Sequence, residues 1–173
     1  MRLLIFCSAV EEIDPSYNEA ARRIVSSACA KGYEIVSGGT TKGTMSVVCH
    51  QAAACGAVVT GVLPRFMKGL EHPELSRTVW TETMSERKER MREGADLVLA
   101  LPGGIGTMDE LFETLVLSKL GRFHGRIAAL NINGFYDPLV ALLDHFVATN
   151  MLLEEDRRRL LLPRTVEEAE ALL

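Results

Sequence analysis

Short runs of almost uninterrupted apolar residues recur along the chain, and stretches of helical period separate most of them. The runs are RLLIFC (Arg2 to Cys7), YEIVSG (Tyr33 to Gly38), AVVTGVLP (Ala57 to Pro64), RTVWTE (Arg77 to Glu82), DLVLALPG (Asp96 to Gly103) and RIAALNI (Arg126 to Ile132). A strand with one wet face alternates apolar and polar residues, whereas a strand covered on both faces has no need to. Such runs therefore point to a parallel sheet between two layers of helices. Helices are expected over Tyr17 to Lys31, Thr44 to Cys55 and Met84 to Glu93, each followed by a glycine (Gly32, Gly56, Gly94) where a left-handed C-terminal cap is wanted. Two or three more should fill the tail after Tyr136. No repeat or linker interrupts the pattern, and 173 residues suit one core. The expectation is an α/β fold over residues 1-173 as a single domain: a Rossmann-like, doubly wound parallel sheet with helices on both faces.

A net charge of -4 with no polybasic arm argues against nucleic acid as a partner. The first apolar run is short and gives way to Glu11 and Glu12, so it reads as a buried strand rather than a leader. No later run approaches membrane-spanning length. The four cysteines (Cys7, Cys29, Cys49, Cys55) form no CxxC pair, which favours neither a disulfide framework nor a metal site and points to a cytoplasmic home.

Ligands of such folds lie beyond the carboxyl ends of the strands. Three loops should meet there: the one after Cys7, SGGTTKGT (Ser37 to Thr44), and PGGIGT (Pro102 to Thr107). In the last, Gly103, Gly104 and Gly106 let backbone approach a ligand, and the following helix offers unpaired N–H groups and a positive dipole end, a place for phosphate. Its spacing does not fit the dinucleotide fingerprint, and in the second loop TTKGT (Thr40 to Thr44) places Lys42 before Gly43, without the GK[ST] order of a Walker loop. The plainer reading is a tight turn whose acids, Asp109 and Glu113, complement the helix dipole. Glu110 fits that reading less well, since it lies one turn from the phosphate position. Upstream, Arg87 and Lys88 open a helix just after a strand end and can face the same crevice. His72, His124 and His145 read as surface or packing residues, the methionines as core filler, and Arg157 to Arg159 as a solvated helix face.

Met84-Ser85-Glu86-Arg87-Lys88 followed by the complete Pro102 to Glu110 segment resembles the signature of the LONELY GUY family, cytokinin riboside 5'-monophosphate phosphoribohydrolases long labelled lysine decarboxylases. GVLP, ADLVLALPGG, LFE, KLG and GFYDPL extend the resemblance over nearly the whole chain. It implies hydrolysis of the N-glycosidic bond of a nucleoside 5'-monophosphate, such as AMP or a cytokinin riboside monophosphate, to free base and ribose 5-phosphate. It implies Arg87 and Glu110 as the catalytic pair, and phosphate held by the loop of Gly103, Gly104, Ile105, Gly106 and Thr107. Met84, Lys88 and Glu71 are further substrate contacts, with close backbone approach at Gly38 and Gly39. It implies no cofactor, a small-molecule nucleotide as partner, and a homodimer. A non-catalytic nucleotide or molybdenum-cofactor carrier is the alternative, and a pyridoxal phosphate decarboxylase with a Schiff-base lysine a third reading.

The resemblance breaks in three places. The first loop reads Cys7-Ser8-Ala9-Val10-Glu11-Glu12 where the family has C-G-S-S-x-G. The second keeps Gly38, Gly39 and Gly43 of G-G-G-x-x-G-L-M-G but carries Thr40 and Ser46 for the other two glycines. Ser85 replaces a usual histidine, and Val116-Leu117 a usual Thr-Trp pair, at positions associated with the base pocket or the subunit contact.

Overall fold

A computed structural model describes residues 1–173. The strands are β1 (Arg2–Phe6), β2 (Glu34–Ser37), β3 (Val59–Pro64), β4 (Arg77–Thr81), β5 (Leu97–Ala100), β6 (Arg126–Ala129) and β7 (Leu160–Leu161). They form one sheet in the order β4-β3-β2-β1-β5-β6-β7, with every neighbouring pair parallel. The helices are α1 (Pro15–Ala30), α2 (Gly43–Ala54), α3 (Met84–Arg92), α4 (Ile105–Lys119), α5 (Asp137–Ala148), α6 (Glu154–Arg157) and α7 (Val166–Glu170). The Rossmann-like α/β architecture expected from the apolar runs is thus present. The seventh strand is an addition: two leucines are too short a run to show a period, and they sit in a tail that reads as helical.

Strands β1, β2, β3, β5 and β6 bury both faces, while the edge strand β4 leaves Arg77 and Thr78 exposed. Leu3, Ile5 and Cys7 point into a core shared with α1, α2 and α7, while Leu4 and Phe6 point into a second core with α3, α4 and α5. Alternate residues of a strand face opposite ways, so an uninterrupted apolar run feeds two cores at once. Helix α1 shows how local signals and packing agree. Asp14 caps it by accepting from Ser16 N at 2.9 Å, Pro15 opens it, and Ala20, Ala21, Ile24, Val25 and Ala28 form its buried stripe. Complete burial of Ile24 or Val25 contributes roughly 1.5–3 kcal/mol. Gly32, Gly56 and Gly94 all have positive φ, as expected of left-handed caps.

The chain winds outward from β1 to β4, returns through α3, and continues from β5 on the other side of β1. The β1/β5 seam is therefore the topological switch point, where the loops leaving the two strands diverge and open a crevice. No helix is long and apolar enough to cross a membrane.

Candidate active site

A cleft of about 360 Å³ opens at the carboxyl ends of β5, β1, β2 and β3. Gly104, Gly106 and Thr107 wall it on the β5 side, and Ser8, Ala9 and Val10 follow β1. Thr40, Lys42 and Met45 stand beyond β2, with Met67, Leu70 and Met84 at the far end. Arg87 and Glu110, 6% exposed each, form the floor. The three loops singled out in the sequence do meet here.

Helix α4 enters the cleft without a side-chain cap, Gly104 standing at its N-cap position, and no acid lies in its first turn. Its first N–H groups are therefore free for an anion. The three glycines of the loop differ in what requires them. A Cβ on Gly103 would strike the Thr107 side chain, which covers it. A Cβ on Gly104 or Gly106 would meet no protein atom within 4 Å, and neither residue has positive φ. The protein's own packing gives no reason for glycine at those two positions; a ligand resting on the backbone would.

Arg87 is delivered by α3, whose start is fixed by Thr83 accepting from Glu86 N at 3.1 Å. Its Nε donates to the Val62 carbonyl at 2.9 Å and its Nη1 to Glu110 Oε1 at 2.7 Å. Gly38 makes room for the guanidinium, since a Cβ there would lie 2.6 Å from Arg87 Nη2 and 2.7 Å from Met45 Sδ. Gly39, at φ +74°, backs onto Gly61, whose Cα lies 2.5 Å from the Cβ position. Both glycines therefore serve packing beneath the cleft. Burial pushes the Glu110 carboxyl above its ordinary value, against the opposing pull of the Arg87 charge. Arg87 occupies only Oε1, which leaves the second oxygen of Glu110 for another partner.

The acids of α4 have another task than complementing the dipole. Both oxygens of Asp109 accept from Lys88 Nζ at 2.9 Å, Glu113 pairs with the same ammonium, and Arg92 Nη2 donates to Glu113 Oε1 at 2.8 Å. They clamp α4 to the cations of α3, which replaces the dipole reading of these two residues. Lys88 accordingly sits at the margin and does not line the cleft. Burial works to lower its pKa but is outweighed by Glu113 and Asp109, which raise it. Glu71 does not line the cleft either: it bridges to Thr40, and its Oε2 accepts from Gly69 N at 2.6 Å. Ile105 is 90% exposed at the mouth of the glycine loop. His72 is buried, His124 and His145 are exposed, and Arg157 is half-buried against Asp144.

The altered first and second loops are built on each other. Gly43, at φ +52°, would drive a Cβ to 2.5 Å from the Val10 carbonyl oxygen, Met45 N donates to Ser8 O at 3.3 Å, and Lys42 Nζ pairs with Glu11 at 3.1 Å. Sequence reasoning did not find the far wall of Met67 and Leu70, because no motif marks a loop between strands. Ser85 and Leu117 lie elsewhere, lining a larger cavity of about 760 Å³ with Arg92 and His124, and the exposed Val116 borders an apolar groove with Phe112 and Leu152. None of the three touches the glycine cleft.

Fold and site together define a Rossmann-like protein with an uncapped glycine turn and a buried carboxylate–guanidinium pair at the switch point of its sheet. The family model described as "possible lysine decarboxylase" matches residues 45–173. The chain is 31% identical to the rice (Oryza sativa subsp. japonica) cytokinin riboside 5'-monophosphate phosphoribohydrolase LOG over 169 residues, 96% of this chain and 70% of that one. It is 29% identical to the enzyme of the same name from Rhodococcoides fascians, over 95% of this chain and 85% of that one. The chain belongs to this family, the LONELY GUY family. Among solved structures it resembles the molybdenum cofactor binding protein of Rippkaea orientalis (TM-score 0.74, 18% identity, covering 99% of this chain and 93% of that one). The molybdenum cofactor carrier protein of Chlamydomonas reinhardtii is similar (TM-score 0.72, 16% identity, covering 98% and 93%). At those identities the likeness is one of fold.

Proposed function

We propose that the protein hydrolyses the N-glycosidic bond of a nucleoside 5'-monophosphate, releasing the free base and ribose 5-phosphate. The observation that carries this reading is the Arg87–Glu110 pair, buried in the same cleft as the uncapped glycine turn of α4. In the proposed complex the phosphate rests on the N–H groups of Gly106 and Thr107, and the ribose lies over Glu110. Departure of the base leaves an oxocarbenium-like sugar, which a carboxylate stabilises while orienting the attacking water. Arg87 fixes that carboxylate by one oxygen and leaves the other for the water. Cytoplasmic residence and a homodimer belong to the same proposal, the dimer supported by the exposed Val116 beside its apolar groove.

A carrier has no use for a desolvated carboxylate facing an anionic ligand, which favours the enzyme over the carrier that the fold neighbours suggest. The decarboxylase reading needs a neutral amine for a Schiff base. Lys88 is held charged by two carboxylates, and Lys42 is an exposed ammonium paired with Glu11. Neither lysine fits that role.

The test is incubation with AMP, isopentenyladenosine monophosphate, the other nucleoside monophosphates and adenosine, with free base followed by chromatography. Binding energy from the phosphate orients the reacting sugar, so kcat/KM on AMP should exceed that on adenosine by about a hundredfold or more. Equal rates on the two would remove the phosphate from the reading. Gly104→Ala adds a methyl that meets no protein atom, so stability should change by less than about 0.5 kcal/mol. Binding of AMP, measured by calorimetry, should weaken about tenfold. Unchanged affinity would put the phosphate elsewhere.

A further inference from the structure

The proposed hydrolysis leaves one step without a residue: the base departs with the electron pair of the broken bond and needs a proton. Along the edge of the sheet the strand ends run β5, β1, β2, β3. Neighbouring strands lie about 4.8 Å apart, so the loop after β2 is roughly 10 Å from the glycine turn after β5. A nucleotide whose phosphate rests on that turn and whose sugar covers Glu110 extends its base towards the β2 and β3 loops. Met45, Met67, Leu70 and Met84 stand at that end, polarisable and apolar, a surface suited to the face of a heterocycle.

Few polar groups there have a proton to give. Cys7 lies beneath the cleft, and burial pushes its thiol well above its ordinary value. Both oxygens of Asp109 accept from Lys88, and Arg87 is spent on Val62 and Glu110. The hydroxyl of Ser8 accepts from Val10 N and that of Thr40 donates to Met45 Sδ, but an alcohol is a far weaker acid than an ammonium. Lys42 remains: it lines the cleft on the far side from the glycine turn, with an ammonium whose single partner is Glu11 at 3.1 Å. That ion pair is half-exposed on both sides and of a kind worth little, so it yields readily to an incoming acceptor.

We infer that Lys42 is a further catalytic residue of the proposed reaction, the general acid that protonates the departing base. The inference rests on the nucleosidase reading. As the C1'–N bond breaks, its electron pair passes to the base nitrogen, and the base takes a proton from Lys42 Nζ. Water adds its hydroxyl to C1' and gives its proton to Glu110. Solvent then restores the proton to Lys42 and removes the one on Glu110, so the sum is nucleotide plus water to base plus ribose 5-phosphate.

The experiment compares AMP with p-nitrophenyl riboside 5'-phosphate, whose leaving group needs no proton, in wild type, Lys42→Met and Glu11→Gln. Lys42→Met should lose about a hundredfold or more in kcat on AMP and stay within about threefold of wild type on the nitrophenyl substrate. That retained rate also proves the variant folded. Glu11→Gln breaks the tie between the loops but keeps the ammonium, and should stay within about threefold of wild type on both substrates. Parallel loss in Lys42→Met on both substrates, no loss on either, or a Glu11→Gln defect as large on AMP overturns the assignment. Wild-type protein inactive on both substrates would instead sink the nucleosidase reading beneath it.

Discussion

Glu110→Gln is expected to lower kcat on a nucleoside monophosphate by about a thousandfold while leaving the protein folded. The amide keeps the volume of the carboxyl, and its oxygen still accepts from Arg87 Nη1, so the change removes one charge and little else. In the proposed reaction that is the group facing the positive sugar, and a buried charge placed at a developing charge is among the largest contributions a side chain makes. The same residue sets the acid side of the pH profile. Burial raises the Glu110 pKa above its ordinary value, and the proposed reaction needs the ionised form, so the wild-type rate should rise with pH through a value above that of an ordinary glutamate. The residual rate of Glu110→Gln should lack that limb. A variant with wild-type turnover, or one that keeps the limb, would remove Glu110 from the chemistry.

Arg87→Leu is expected to cost about 3–5 kcal/mol of stability at neutral pH, as breaking a buried pair does when one partner stays behind. The substitution leaves Glu110 buried without its counter-charge and takes the donor from the Val62 carbonyl. The loss should depend on pH in a definite direction. In the folded variant the Glu110 pKa moves further up, because burial remains and the opposing Arg87 charge has gone. A carboxyl with a raised folded-state pKa contributes stability below its unfolded value and loses it as pH rises through the folded one. The deficit of Arg87→Leu against wild type should therefore shrink on acidification towards the ordinary carboxylate range. Urea unfolding of both proteins at neutral pH and near pH 5 measures it. An equal deficit at both would place the cost in lost packing rather than in an unpaired carboxylate.

Much of the fold could be read from residues because the signals were redundant. Six apolar runs lack alternation, and three glycines stand one step past helical stretches and take left-handed φ. β7 escaped because Leu160 and Leu161 gain strand geometry only by pairing with β6, a tertiary effect with no local trace. For the site, the glycine turn was legible in itself, since uncapped helix starts and glycines are local. That Arg87 and Glu110 share a crevice could be read from a strand end and a helix start, but their pairing came from a family resemblance, because nothing in the spacing of residues on two helices says that they touch. Asp109 and Glu113 were assigned to a dipole because a sequence shows helix position but not the α3 cations packed across from them. Lys42 attracted notice only as a failed Walker lysine. Its place opposite the glycine turn follows from β2 and β5 flanking β1, which the linear order of strands conceals.

The seam between β1 and β5 also bears on how the chain is made. β1 emerges first, yet one of its two neighbours, β5, follows only after β2, β3 and β4. At bacterial to eukaryotic elongation rates that interval is roughly 5 to 20 s. Throughout it the nascent chain carries a strand that is apolar from Leu3 to Phe6 with at least one open edge, the kind of template that recruits other chains. Conditions that stall translation between residues 64 and 97 should therefore yield aggregates rather than half-sites. For the same reason a division of the gene there should not give fragments that are soluble alone.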